Sequence, residues 1–390
     1  MRVKKNIFVT ATLVLLFGLP IQCAWGAEFL KKQTGTVTIS GTSVSVAIDA
    51  VCKNQSFLVF SATTDDDDPG DFHVGGEITD ETTLTFYKVT TGSPSVTTIK
   101  WQVFEFASGV SVQHGSTAGV NGTDNITISA VTLANSFVIA SGRKDGTTLG
   151  NDDGYTVDLT TTTNLQLIVA GGTYTEIYWQ VIEYADATVQ KVTGLLTDGG
   201  LPTATSALGT PVVEGKTMVI SNHTIDTNIF PDDLPRTELT GPSTVTYTRD
   251  GTSGNLNFVT FVVEFTDNTV VERGLLAFPN NDVSEVVAIG NTSASSGVFG
   301  PGQFGRQGST DRPTNSDNTG YVWFTYEITG INELTIERAT SIGGDNAFAP
   351  YEIVTFEDAN PANTTYYSLA SGAWDANTSW SLTSDGSSGA

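Results

Sequence analysis

The sequence predicts an all-β fold of four tandem β-sandwich units, each about 80 residues long, and three recurring segments carry that prediction. An alternating aromatic segment reads WQVFEF from Trp101, WQVIEY from Trp179, TFVVEF from Thr260 and, in degenerate form, YEIVTF from Tyr351. Its last aromatics, Phe106, Tyr184, Phe265 and Phe356, stand 78, 81 and 91 residues apart. A second segment follows the same period as SFLVFS from Ser56, SFVIAS from Ser136, KTMVIS from Lys216 and EVVAIG from Glu285. A third runs from Glu77, Asp158, Glu238 and Glu327, as in EITDETTLTFYK and EITGINELTIER. Runs rich in Val, Ile, Thr, Phe and Tyr alternate with polar residues and are broken by Gly, Asp, Asn and Pro clusters, the pattern of strands and turns. No useful window carries helical spacing, so no significant helix is expected outside the N-terminal signal.

In chain order, residues 1–26 form an export signal. Arg2, Lys4 and Lys5 precede an apolar run from Ile7 to Pro20, too short to span a bilayer, and small residues follow. Cleavage after Gly26 places Ala24 and Gly26 at the small-residue positions, and cleavage after Ala27 also fits. Gln22 before Cys23 is a poor match to a lipid-anchor signal. The mature chain is therefore expected at the cell surface or outside the cell, without membrane insertion. The units are expected at 33–112, 113–189, 190–271 and 272–360, with 361–390 a tail or the start of a further module. Val112–Gly115 closes the first unit in this reading. Such short joints favour a stiff row of abutting units.

Within WQVFEF, period-2 alternation sets Phe104 and Phe106 on a core face and Trp101, Val103 and Glu105 on the opposite, outer face. Glu105, Glu183 and Glu264 recur there. Strand-end cations recur at Lys88, Arg249 and Arg338, so paired strands would set each Glu across from a cation. The second copy has Val169 in place of the cation and the fourth has Thr355 in place of the Glu. The fourth unit also carries an insertion: Ile289 to Ile328 spans 39 positions, where Phe60 to Ile78 and Ile220 to Leu239 span 18 and 19. It includes Phe299, Phe304, Arg306 and Arg312, a candidate contact surface.

A net charge of −24, more acidic still once the signal is removed, repels phosphate backbones and anionic membranes, so nucleic acid is not an expected partner. Only Cys52 remains in the mature chain, which excludes an internal disulfide. His73, His114 and His223 are scattered, each expected to be a surface or loop residue. No zinc motif, nucleophile elbow, phosphate loop or dinucleotide fingerprint is present, and no catalytic residue is expected. One acidic loop recurs at the same place in each unit. It contains Asp67, Asp68 and Asp71, then Asp152 and Asp153, then Asp232 and Asp233, then Asp317, a set of hard oxygen ligands suited to Ca²⁺ but without EF-hand spacing.

The repeats resemble tandem Ig-like β-sandwich proteins of bacterial cell surfaces, with an Ig-like or jelly-roll-like unit. GAWDANTSWS, holding Trp374 and Trp380, resembles segments of Bacteroidetes-type secreted surface proteins. Tightly spaced repetition, export and the lack of a site point to a non-enzymatic structural or adhesive protein forming a rod, fibre or stalk, with other surface proteins, further copies of itself or glycans as expected partners. Two alternatives stand beside it: the binding region of a larger secreted protein, or a carbohydrate-binding array that uses Trp101 and Trp179 as stacking platforms.

Overall fold

The computed structural model describes residues 26–357 except 66–68, 90–94, 147–152, 227–234, 250–251, 280, 301–308, 311–322 and 342–346, together with two short strands near the C-terminus. Among these residues the regular structure is almost entirely strand. Among the described residues no helix is long and apolar enough to cross a membrane.

The first unit contains β1 (Glu28–Ile39), β2 (Ser43–Ala47), β3 (Ser56–Thr64), the single helical turn α1 (Pro69–Phe72), β4 (Gly75–Asp80), β5 (Thr83–Tyr87) and β6 (Thr97–Ser108). β6 lies between β1 and β3, and β5 between β2 and β4, every pairing antiparallel. The two three-stranded sheets close face to face over Leu58, Phe60, Ile78, Leu84, Phe86, Ile99 and Val103. In the second unit, β7 (Val110–Thr127) and β10 (Asn164–Tyr184) run unbroken through both layers, flanked by β8 (Ser136–Arg143) and β9 (Tyr155–Thr161).

The third unit has β11 (Ala187–Leu196), β12 (Thr203–Ala207), β13 (Thr217–Ile225), β14 (Arg236–Gly241), β15 (Thr244–Thr248) and β16 (Leu256–Phe265). The fourth has β17 (Val270–Phe278), β18 (Ser284–Ala288), β19 (Ser296–Phe299), β20 (Ser309–Thr310), β21 (Phe324–Gly330), β22 (Glu333–Arg338) and β23 (Ala347–Thr355). Beyond it β24 (Tyr367–Ser368) pairs with β25 (Trp380–Ser381). The trios β1-β6-β3, β7-β10-β8, β11-β16-β13 and β17-β23-β19 correspond, as do β2-β5-β4, β7-β10-β9, β12-β15-β14 and β18-β22-β21.

Each WQVFEF-type segment is the central strand of its inner sheet, and both of its faces are buried. Trp101 and Val103 face the unit's own sandwich, whereas Phe104 and Phe106 point out of it. A sheet that is apolar on both sides needs a second cover. The four units supply it to one another by closing into a ring. Phe106 packs against Tyr184 at 5.5 Å, Tyr184 against Phe265 at 5.2 Å, Phe265 against Phe356 at 5.9 Å, and Phe356 against Phe106 at 5.2 Å. One cluster of buried apolar residues runs through all four units. The stiff row expected from the short joints is thereby corrected: the units turn about a shared aromatic hub.

Three further expectations change. Val112–Gly115 lies inside β7, the first strand of the second unit, and does not close the first. The segment from Glu285 is β18, which pairs with β22 as β2 pairs with β5. The true partner of Ser56, Ser136 and Thr217 is Ser296, which opens β19 against β23. Phe299 belongs to that strand and stacks on Phe104 at 5.6 Å in the hub, not on a projecting loop. Phe304, Arg306 and Arg312 lie outside the described residues.

Candidate functional site

The seams between units are built from one position of the repeated segment, its second residue: Gln102, Gln180, Phe261 and Glu352. Gln180 accepts from the Leu58 amide at 2.7 Å and donates to the Leu58 carbonyl at 2.8 Å, satisfying both groups of one residue on the neighbouring β3. Gln102 does the same to Val298 of β19, at 3.0 and 2.7 Å, and this contact closes the fourth unit onto the first. Phe261 fills its seam with apolar surface, lining with Leu159 and Val189 one side of the joint.

Glu352 accepts from the Val219 amide at 2.9 Å and stands 3.7 Å from Arg273 Nε, but an ionised carboxylate has no N–H for a carbonyl. Burial pushes its carboxyl up to about 7, with Arg273 pulling the other way. A cavity of about 120 Å³ lies beside it, lined in part by Arg273, Tyr351 and Glu238. Because the folded-state value is raised above the ordinary 4.5, the protonated seam contributes its full stability only below about pH 4.5 and loses it as pH rises through 7. Glu352→Gln, which supplies the amide that Gln102 and Gln180 place in their seams, is expected to gain on the order of 2 kcal/mol at pH 8 and little at pH 4. Urea titrations of both proteins across that range check it.

The far end of the ring is where the third strand of each unit runs into the fourth. Since β3 starts opposite Glu105 and ends opposite Thr97, this pole lies roughly 26 Å from the aromatic hub. There Gly70 donates to the Gly146 carbonyl, Phe72 meets Trp323 edge-on at 4.1 Å, and His73 sits between Tyr174 Oη, 2.9 Å from Nδ1, and Asp153 Oδ1, 3.2 Å from Nε2. His73, Asp153 and Tyr174 are each at most 1 % exposed. In form this is an acid–imidazole–hydroxyl relay; in place it is a polar brace inside a packed aromatic layer, tying the first, second and fourth units.

The acidic-loop residues separate at this pole. Asp71 is fully buried and paired with Lys88 Nζ at 3.0 Å, and Asp153 pairs with His73. Both therefore face a nitrogen partner from the protein. Asp67, Asp68, Asp152, Asp232, Asp233 and Asp317 lie outside the described residues. Among the described residues no three His, Cys, Asp or Glu side chains gather as metal ligands.

Trp101 and Trp179 are 7 % and 8 % exposed, and their indoles lie on Gly35 and Gly115 across the ladder, so close that a Cβ on either glycine would overlap the ring. They are not platforms on an outer face. In the third unit, where Thr260 replaces the tryptophan, Tyr247 covers Gly194 instead and hydrogen-bonds Thr260 Oγ1 at 3.1 Å; in the fourth, Tyr351 covers Gly274.

The repeated glutamates do not face the repeated cations. Glu105, Glu183 and Glu264 accept from the amides of Cys52, Thr132 and Val213, fixing the short 3₁₀ turn before the third strand. The cations collect carbonyls instead: Lys88 that of Ser95, Arg249 those of Thr197, Ser253 and Gly254, and Arg338 those of Pro279 and Asp282. Val169 stands where the second unit's cation would be, inside β10, whose strand continues past the place where the other units break. Of the histidines, His73 lies in the connection between α1 and β4 but is buried, and the other two stand in strands. His223 packs on Phe258, and His114 bonds the Lys53 carbonyl, burial holding its imidazole down to about 4.

Comparison with known protein families, with curated proteins and with solved structures gave no match.

Proposed function

We propose that the chain is a secreted, non-enzymatic structural or adhesive module of the cell surface, used as one rigid block within a surface assembly or a longer polypeptide. The observation that carries this reading is how the described reactive side chains are engaged. The repeated glutamates hold turns, the recurring cations hold carbonyls, and His73, Asp153 and Tyr174 hold one another in a packed layer. A closed ring with a solid hub offers partners its outer faces and its poles. The buried state of Trp101 and Trp179 removes the platform on which an array of sugar-stacking sites would have rested.

In solution the mature chain is expected to scatter as a compact particle with a radius of gyration of about 20 Å, the value for a globule of its length. Four sandwiches in a row would give about twice that. Beads coated with the mature chain are expected to adhere to the surface of the producing cells. Failure to adhere, together with turnover in a broad hydrolase screen, would overturn the proposal.

A further inference from the structure

The first described residues meet the hub. The Ala27 amide donates to Asp186 Oδ2 at 2.5 Å, joining the start of the first unit to the turn between β10 and β11. The Ala27 methyl is buried in the central cluster, and Phe29 stacks on Phe356. Gly26, by contrast, is exposed. Gly109, at φ +71°, packs its bare Cα against the Gly26–Ala27 peptide, where any side chain would overlap it.

Among the described residues no Lys or Arg pairs with Asp186, and its neighbour here beside the hub is another carboxylate, Asp267. Burial, with the Asp186 charge adding to it, holds Asp267 above the ordinary carboxylate range. The geometry at Ala27 therefore has room for one positive charge on the nitrogen that already points at Asp186.

We propose that export processing cuts between Gly26 and Ala27, and that the new Ala27 ammonium docks on Asp186 and completes the hub. The cut is a hydrolysis by a membrane-bound signal peptidase. Water supplies its oxygen to the Gly26 carbonyl carbon, the C–N bond breaks, and the departing nitrogen takes up protons to become an ammonium beside the newly formed Gly26 carboxylate. A cut after Ala27 instead removes a buried methyl from the hub and moves the ammonium to Glu28. This inference rests on the export reading of residues 1–26, and its test separates the two.

Intact mass of the protein recovered outside producing cells is expected to match a chain beginning at Ala27. A chain beginning at Glu28 overturns the cut site, and an unprocessed chain overturns the export reading. Independently of export, a chain made to begin at Ala27 is expected to melt at least about 2 °C above one still carrying residues 21–26, measured at pH 6. That gap should close in Asp186→Asn, and it should fade above about pH 8 as the ammonium loses its proton. Should Asp186→Asn fail to fold, acetylating the Ala27 amine replaces it and should remove the same advantage. Equal melting temperatures for the two wild-type chains overturn the ion pair.

Discussion

Phe356→Ala is expected to destabilise the whole ring by about 3–5 kcal/mol, the range for truncating a buried aromatic whose surroundings cannot collapse. The Phe356 ring touches seven others: Phe29, Phe57, Phe104 and Phe106 of the first unit, Tyr184 of the second, Phe265 of the third and Phe299 of its own. No single unit can move to fill the void, because each aromatic around it is held by its own sheet. Trp101 and Trp179 report the first and second units, far from residue 356 in sequence. Their fluorescence in urea is expected to shift to lower denaturant in the variant together with the fourth unit's transition. If only the fourth unit weakened while the tryptophans unfolded at the wild-type midpoint, the units would not share a hub. Phe356→Leu, which keeps most of the volume, should cost less than half as much.

How far the sequence leads depends on which residue is asked. The strand pattern is local chemistry, so the aromatic segment, the hairpin turns such as the one joining β4 to β5, and the order of strands are legible from alternation and turn residues alone. The relation between units is not local. A period states that a unit is copied, not the rotation from one copy to the next. The signal that pointed beyond the single sandwich was WQVFEF itself, apolar on both faces and thus in need of two covers. Reading one face as outer also misplaced Trp101 and Trp179.

The repeated Glu and Lys or Arg suggested pairing because their charges are opposite. In the fold the glutamates meet turn amides, Glu105 also Lys31, and the cations meet carbonyls, Lys88 also the Asp71 carboxylate. EVVAI satisfies alternation equally well as a second or a third strand, so alternation alone does not align the fourth copy; the hydroxyl residue shared by Ser56, Ser136, Thr217 and Ser296 does. The seams depend on Gln102, Gln180 and Glu352 reaching the backbone of another unit, which no spacing within a unit encodes.

Breaking the Lys88–Asp71 pair is expected to have an effect as large as losing the hub phenylalanine. Both side chains are fully buried, Nζ stands 3.0 Å from Oδ1, and Lys88 also reaches the Ser95 carbonyl at 2.6 Å and Thr97 Oγ1 at 3.3 Å. Thr97 in turn donates to the Asp71 carbonyl at 2.9 Å, so the pair fastens α1 to the end of β5 and the start of β6. Lys88→Met removes the ammonium and leaves a carboxylate in a dry interior, a change that costs about 3–5 kcal/mol when one partner of a buried pair is deleted. The double variant Asp71→Leu with Lys88→Met removes both charges and keeps comparable volume, and such replacements are commonly neutral or better. Urea unfolding at pH 7 is therefore expected to place Lys88→Met far below wild type and the double variant close to it. A double variant as damaged as the single one would mean that the contacts of Lys88 with the Ser95 carbonyl and the Thr97 hydroxyl, and not its charge on Asp71, hold this corner of the first unit.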